Sequence, residues 1–95
     1  MANMSAIRTV WVFTGPRALF PAGVFSTKEL AEIWIRQHAL SGTLTRYPLD
    51  DGAYDWATKG GFFTPSKPEH HSAAFIERFS AASQEHYHYE SGLRD

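Results

Sequence analysis

Cysteine is absent from this 95-residue chain, which excludes a disulfide framework and any thiolate metal centre. Charge of one sign is also missing. Nine Lys and Arg stand against ten Asp and Glu, a net charge of -1. A surface built for a nucleic-acid backbone carries a basic excess or stripe, so nucleic acid is not an expected partner. No apolar run approaches the length of about 18 residues that a membrane span needs, so no membrane association is expected. Met1 to Thr9 holds one Arg and no apolar core ahead of a small-residue cleavage site, which makes a cytoplasmic location the expectation. Gly15-Pro16 and Gly60-Gly61 lack the spacing of a phosphate-binding loop. There is no Gly-x-Ser-x-Gly elbow, and no internal repeat or low-complexity segment.

Apolar residues are plentiful. They make up 43% of the chain, and aromatics alone 15%, with three Trp, four Tyr and seven Phe. Such content supports one packed domain over residues 1–95, with 1–7 a frayed end. Thr9 to Thr14 is β-branched and aromatic on both faces and predicts a central strand buried on both sides. Gly23 to Phe25 predicts a short antiparallel partner. A helix follows over Thr27 to Ala39, with Ser26 and Glu29 at capping-box spacing. Its buried face is Leu30, Ala31, Trp34 and Ile35, and His38 falls on the same face as a neutral core residue.

Thr43 to Tyr47 predicts a third strand. Asp50 or Asp51 is placed to cap a short helix over Ala53 to Lys59, and Phe62-Phe63 is expected to plug the edge of the core. Thr64 to His71 reads as a loop. Ser72 caps a helix over Ala73 to Ser83, with Phe75, Ile76, Phe79 and Ala82 on one side. Glu85 to Glu90 alternates strictly and predicts the last strand. The order β-β-α-β-α-α-β implies an α+β fold: three to four strands in a mostly antiparallel sheet with helices packed on it.

Eight segments carry a resemblance that spans Val10 to Gly92. They are Trp11-Val12-Phe13, Gly23-Val24-Phe25-Ser26, Ala31 with Trp34-Ile35, Ser41-Gly42-Thr43-Leu44-Thr45, Tyr47-Pro48-Leu49-Asp50, Tyr54-Asp55-Trp56-Ala57, Gly61-Phe62-Phe63, and Ser83 to Glu90. In these the chain resembles a family of small uncharacterised bacterial proteins. In size and build it is also similar to proteins thought to be immunity factors of bacterial toxin systems. The resemblance implies no catalytic residue.

The most unusual local pattern is Glu85-His86-Tyr87-His88-Tyr89-Glu90. On a strand, His86, His88 and Glu90 share one face, and Tyr87 and Tyr89 the other. Two imidazoles at i and i+2 can share a metal ion, a carboxylate at i+4 can join them, and His70 or His71 can add a ligand if their loop folds back. The simpler reading packs the tyrosines inward and leaves the histidines on a partner-facing surface. Asp50, Asp51 and Asp55 crowd three carboxylates beside Tyr54 and Trp56. Each has an ordinary task in a turn or cap, and together they form an acidic patch for a basic partner.

No nucleophile, base and orienting group occur together, so enzymatic activity is the less favoured class. The leading expectation is a non-catalytic protein that binds a cognate protein partner, plausibly a toxin, through Asp50, Asp51, Tyr54, Asp55, Glu85, His86, His88 and Glu90. It needs no cofactor and no metal. The alternative is a metal-binding small enzyme or ligand-binding module built on His86, His88 and Glu90.

Overall fold

A computed structural model describes residues 8–95; the expected frayed end, residues 1–7, lies outside the described residues. Strand β1 (Thr9–Thr14) and strand β2 (Gly23–Phe25) precede helix α1 (Lys28–Gln37). Strand β3 (Gly42–Pro48), helix α2 (Ala53–Lys59), a 3-10 turn (Pro68–His71) and helix α3 (Ala73–Glu77) come next. Strands β4 (His86–Glu90) and β5 (Leu93–Arg94) complete the order. All neighbours pair antiparallel, in the order β2-β1-β3-β4-β5. The α+β class and the antiparallel sheet are as the sequence predicts, with five strands in place of three to four.

Register decides which side chains meet. Phe13 lies opposite Gly23 and Leu44, Trp11 opposite Phe25 and Arg46, and Leu44 opposite Tyr87. Directly paired residues project to one face, so Trp11, Phe13, Leu44, Tyr87 and Tyr89 share a side. Helix α1 covers that side with Ala31 and Ile35, and Phe25, Trp34, Leu40 and Tyr87 pack around the cluster. Trp34 meets Phe13 edge-on, with ring centroids 5.7 Å apart. Tyr89 is buried, and its hydroxyl donates to Glu32 Oε2 of α1 at 2.6 Å, while Arg94 reaches the same carboxylate at 3.4 Å. This bond ties sheet to helix at the far end of the core.

The opposite face carries no helical layer. It presents Val10, Val12, Thr14, Thr43, Thr45, Tyr47, His86, His88 and Glu90, none of them fully buried. The principal extents are 44 × 39 × 20 Å. A sheet and one layer of helix, about 10 Å each, account for the short dimension. The expectation that β1 is buried on both sides is therefore corrected: Trp11 and Phe13 are buried, whereas Val10 and Val12 are only partly buried.

Other boundaries also differ. Thr27, not Ser26, caps α1, because its Oγ1 accepts from the Leu30 amide at 3.2 Å. The buried stripe is narrower than expected: Ala31 and Ile35 take the core, Trp34 packs at its edge, and Leu30 is 52% exposed. His38 is the exposed C-cap of α1, its ring against Trp34, and not a core residue. Gly52 caps α2 with no side-chain bond, in place of Asp50 or Asp51. The last helix ends at Glu77, six residues before the expected Ser83. Strand β5 is an additional element. It forms because Ser91 (φ 51°) and Gly92 (φ 87°) make a two-residue hairpin turn with both central φ values positive.

Ile35 and Leu44 are the largest fully buried side chains. Ile35→Ala is expected to cost about 2–5 kcal/mol in urea unfolding, whereas Leu30→Ala costs under about 1 kcal/mol, as a surface change does. Burial, and then the hydrogen bond to Glu32, push the Tyr89 phenol well above its ordinary value. A phenol raised in the folded state contributes its stability fully below the unfolded value, about 10. That contribution is lost as pH rises toward the folded value. Thermal melts from pH 7 to 11 are expected to show an alkaline decline that Tyr89→Phe reduces.

Candidate functional site

Strand β4 sorts its side chains as the alternation requires. Tyr87 and Tyr89 turn toward α1, and His86, His88 and Glu90 turn to the open face, exposed. The two imidazoles stand edge to face, centroids 5.4 Å apart. His86 Nδ1 lies 2.7 Å from the Gln84 carbonyl oxygen and so donates to it. His88 Nδ1 lies 3.3 Å from Oγ1 of Thr43, its direct cross-strand partner. Both Nδ1 atoms are thus engaged with the protein.

Two hollows flank this pair. One, of about 360 Å³, is bounded by Thr43, Thr45, Tyr47 and His86 on the sheet and by the segment Ser80–Ala82. The other, of about 380 Å³, lies by Thr43, His88, Glu90 and Asp95. Gln84 shapes the first. Its buried side chain donates to the Arg46 carbonyl at 3.3 Å and accepts from the Ala81 amide at 3.0 Å, which clamps the loop beside β3.

Glu85 is separated from the histidines. It pairs with Arg46 at 3.2 Å and accepts from the Tyr87 hydroxyl. The Tyr87 bond, helped by the Arg46 guanidinium, holds its carboxyl below the usual range, and the same bond raises the Tyr87 phenol. Lys28 and Arg94 stand over the Tyr87 ring at 4.8 and 4.5 Å. The pair is exposed on both sides, so it contributes under about 1 kcal/mol.

The remaining candidates lie on the α2 segment. Asp51 pairs with Lys59 at 3.3 Å. Asp50 sits at φ 64° in the turn, where Asp is tolerated, and Asp55 is exposed on α2. Tyr54 packs edge-on to Phe75 and Phe79 and against Phe63. It is part of a second aromatic cluster that fastens α2 to α3. His70 also joins that cluster, against Phe63 and Phe75, and its Nδ1 accepts from the amides of Ser66 and Lys67. The loop therefore turns His70 toward the phenylalanines, not toward β4.

Sequence reasoning missed a hollow of about 440 Å³ beside this cluster, lined by Phe62, Phe63, Phe75, Phe79 and Arg78 among others. The early end of α3 opens it, since Ser80 to Ser83 leave the helix and wrap its rim. Phe62, expected to plug the core edge, is 55% exposed there and stacks on Trp56 at 4.8 Å.

Among the described residues, no three His, Cys, Asp or Glu side chains gather to hold a metal ion. The three-ligand arrangement of His86, His88 and Glu90, with or without His70, does not form. No helix among the described residues is long and apolar enough to cross a membrane.

Comparison with curated proteins and with solved structures finds no match. A family model described as a domain of unknown function, DUF7710, matches residues 10–95, from the start of β1 through the β4–β5 hairpin. The chain therefore belongs to the DUF7710 family, and its one-sided sheet is a fold for that domain.

Proposed function

We propose that this chain is a non-catalytic binding protein that docks a protein partner on the open face of its sheet. One observation carries the reading: a five-stranded sheet is covered by a helix on one face only, and the other face bears a mixed surface of Val10, Val12, Thr43, Thr45, Tyr47, His86 and His88. Valine and tyrosine bring area, while hydroxyls and imidazoles bring hydrogen-bonding groups, the mixture that suits a protein interface. No Lys or Arg projects from this face of β1, β3 or β4, and Glu90 adds a negative charge at its margin. A partner with a basic surface is the complement.

In its narrower form, the reading makes the partner a toxin of a bacterial competition system and this chain its immunity protein. Small size and the similarity of build to such proteins support that form. A toxin acting on nucleic acid has a basic cleft, which an acidic margin steers toward.

The test is co-expression of the chain with the product of its neighbouring gene, followed by co-purification. Val12→Arg and Thr45→Arg are expected to weaken binding at least about tenfold, equivalent to about 1.4 kcal/mol. Ile33→Arg, on the outer side of α1, is expected to leave binding unchanged. Loss of binding in Ile33→Arg alone would move the interface to the helical side. Rescue of cells from the neighbour's toxicity supports the narrower form, and a harmless neighbour that still binds removes it.

A further inference from the structure

The structure assigns to His86 and His88 a second capacity: a two-imidazole site for a borderline divalent transition cation of the zinc, nickel or copper class. Three observations on β4 support it. The side chains are exposed on the open face, two residues apart on one strand. Each Nδ1 is engaged with a protein oxygen, the Gln84 carbonyl for His86 and Thr43 Oγ1 for His88. The carbonyl can only accept, so His86 holds its proton on Nδ1 and the lone pair on Nε2, the tautomer that ligating histidines receive from their surroundings, while the Thr43 hydroxyl can donate to or accept from His88 Nδ1 and permits the same tautomer there. The spacing is also suitable. A zinc–nitrogen bond of about 2.0 Å puts the metal about 3.2 Å from each ring centroid, and a tetrahedral angle then separates the centroids by about 5.2 Å. The observed separation is 5.4 Å with the rings near perpendicular, so the distance suits one ion once an exposed ring turns about its Cβ–Cγ bond to bring both Nε2 atoms onto it.

The chemistry selects the cation. Imidazole nitrogen suits zinc, nickel and copper, whereas magnesium and calcium take oxygen ligands. Glu90 does not join, since no third protein ligand gathers there among the described residues. Two ligands leave a tetrahedral ion with two outward positions, filled by water in the isolated chain. This differs from the expected metalloenzyme centre, which needed the carboxylate. It also requires no protein partner, so its failure and the failure of the docking reading are separate results.

The experiment is calorimetric titration of the untagged chain with zinc chloride and with nickel chloride, and with magnesium chloride as a control. Saturable binding of zinc and nickel is expected, with none of magnesium. His86→Ala and His88→Ala are each expected to weaken it at least about tenfold, the scale on which ligand environments act. His38→Ala and His71→Ala should not change it. Long-range proton–nitrogen NMR is expected to show zinc shifting Nε2 of His86 and His88 while their Nδ1 atoms stay protonated. Zinc binding that is undiminished in the His86→Ala, His88→Ala double variant overturns the assignment. So does a wild-type chain that binds no zinc.

Discussion

The contact of α1 with one face of the sheet is the constraint on which the rest of this structure depends. Ile35 and Leu44 are fully buried in it, and Trp11, Phe13, Ala31 and Tyr89 close around them. The remaining aromatics, Tyr54, Phe63, Phe75 and Phe79, pack on one another between α2 and α3 and do not form a helical layer on the other face of the sheet. The consequence is a sheet with a dry side and a wet side. Every strand crossing the core must then alternate, and the alternation determines what the outer face displays.

Strand β4 shows the consequence most directly. Tyr89 is drawn inward by the core and by Glu32 of α1. Its odd-numbered neighbour Tyr87 packs on Trp11, centroids 6.1 Å apart. With period two, the even-numbered His86 and His88 have no place but the outer face. Their cross-strand neighbours Thr45 and Thr43 face outward for the same reason, and so Thr43 lies beside His88 Nδ1. The functional proposals about this face are thus consequences of the packing on the other.

Legibility in the sequence followed the strength of local pattern. The strand Thr9–Thr14, the strand Gly23–Phe25 and the helix Ala53–Lys59 stand within their expected bounds, because Gly and Pro punctuate them. The sorting of Tyr87 and Tyr89 from His86 and His88 was legible for the same reason. The end of α3 was not: Phe75, Ile76, Phe79 and Ala82 kept a helical period, but Phe79 is held by Tyr54 and Phe63, and the loop amide of Ala81 bonds Gln84 instead of continuing the helix. Tertiary packing overrode propensity there. The last strand could have been found, since Ser91-Gly92 between Tyr89-Glu90 and Leu93-Arg94 is a hairpin turn signal. The one-residue shift of the α1 cap could not, because Ser26 and Thr27 are both good caps.

The acidic residues show where a pattern in sequence changes meaning in three dimensions. Read along the chain, Asp50, Asp51, Asp55, Glu85 and Glu90 offer negative charge to a basic partner. In the fold, Asp51 is neutralised by Lys59, and Glu85 by Arg46 and the Tyr87 hydroxyl. Glu85 projects to the helical side, opposite His86 and His88. What the open face retains is Glu90 and, opposite His88, Asp95, beside hydroxyls and imidazoles. Exposed ion pairs add little energy, and the charge they neutralise no longer steers a partner. In the docking proposed for this face, shape, hydrogen bonds and imidazole chemistry therefore carry the recognition, and the carboxylates at its margin only steer a basic partner. That is the reason the proposal places specificity on the two histidines and not on Asp50, Asp51 and Asp55.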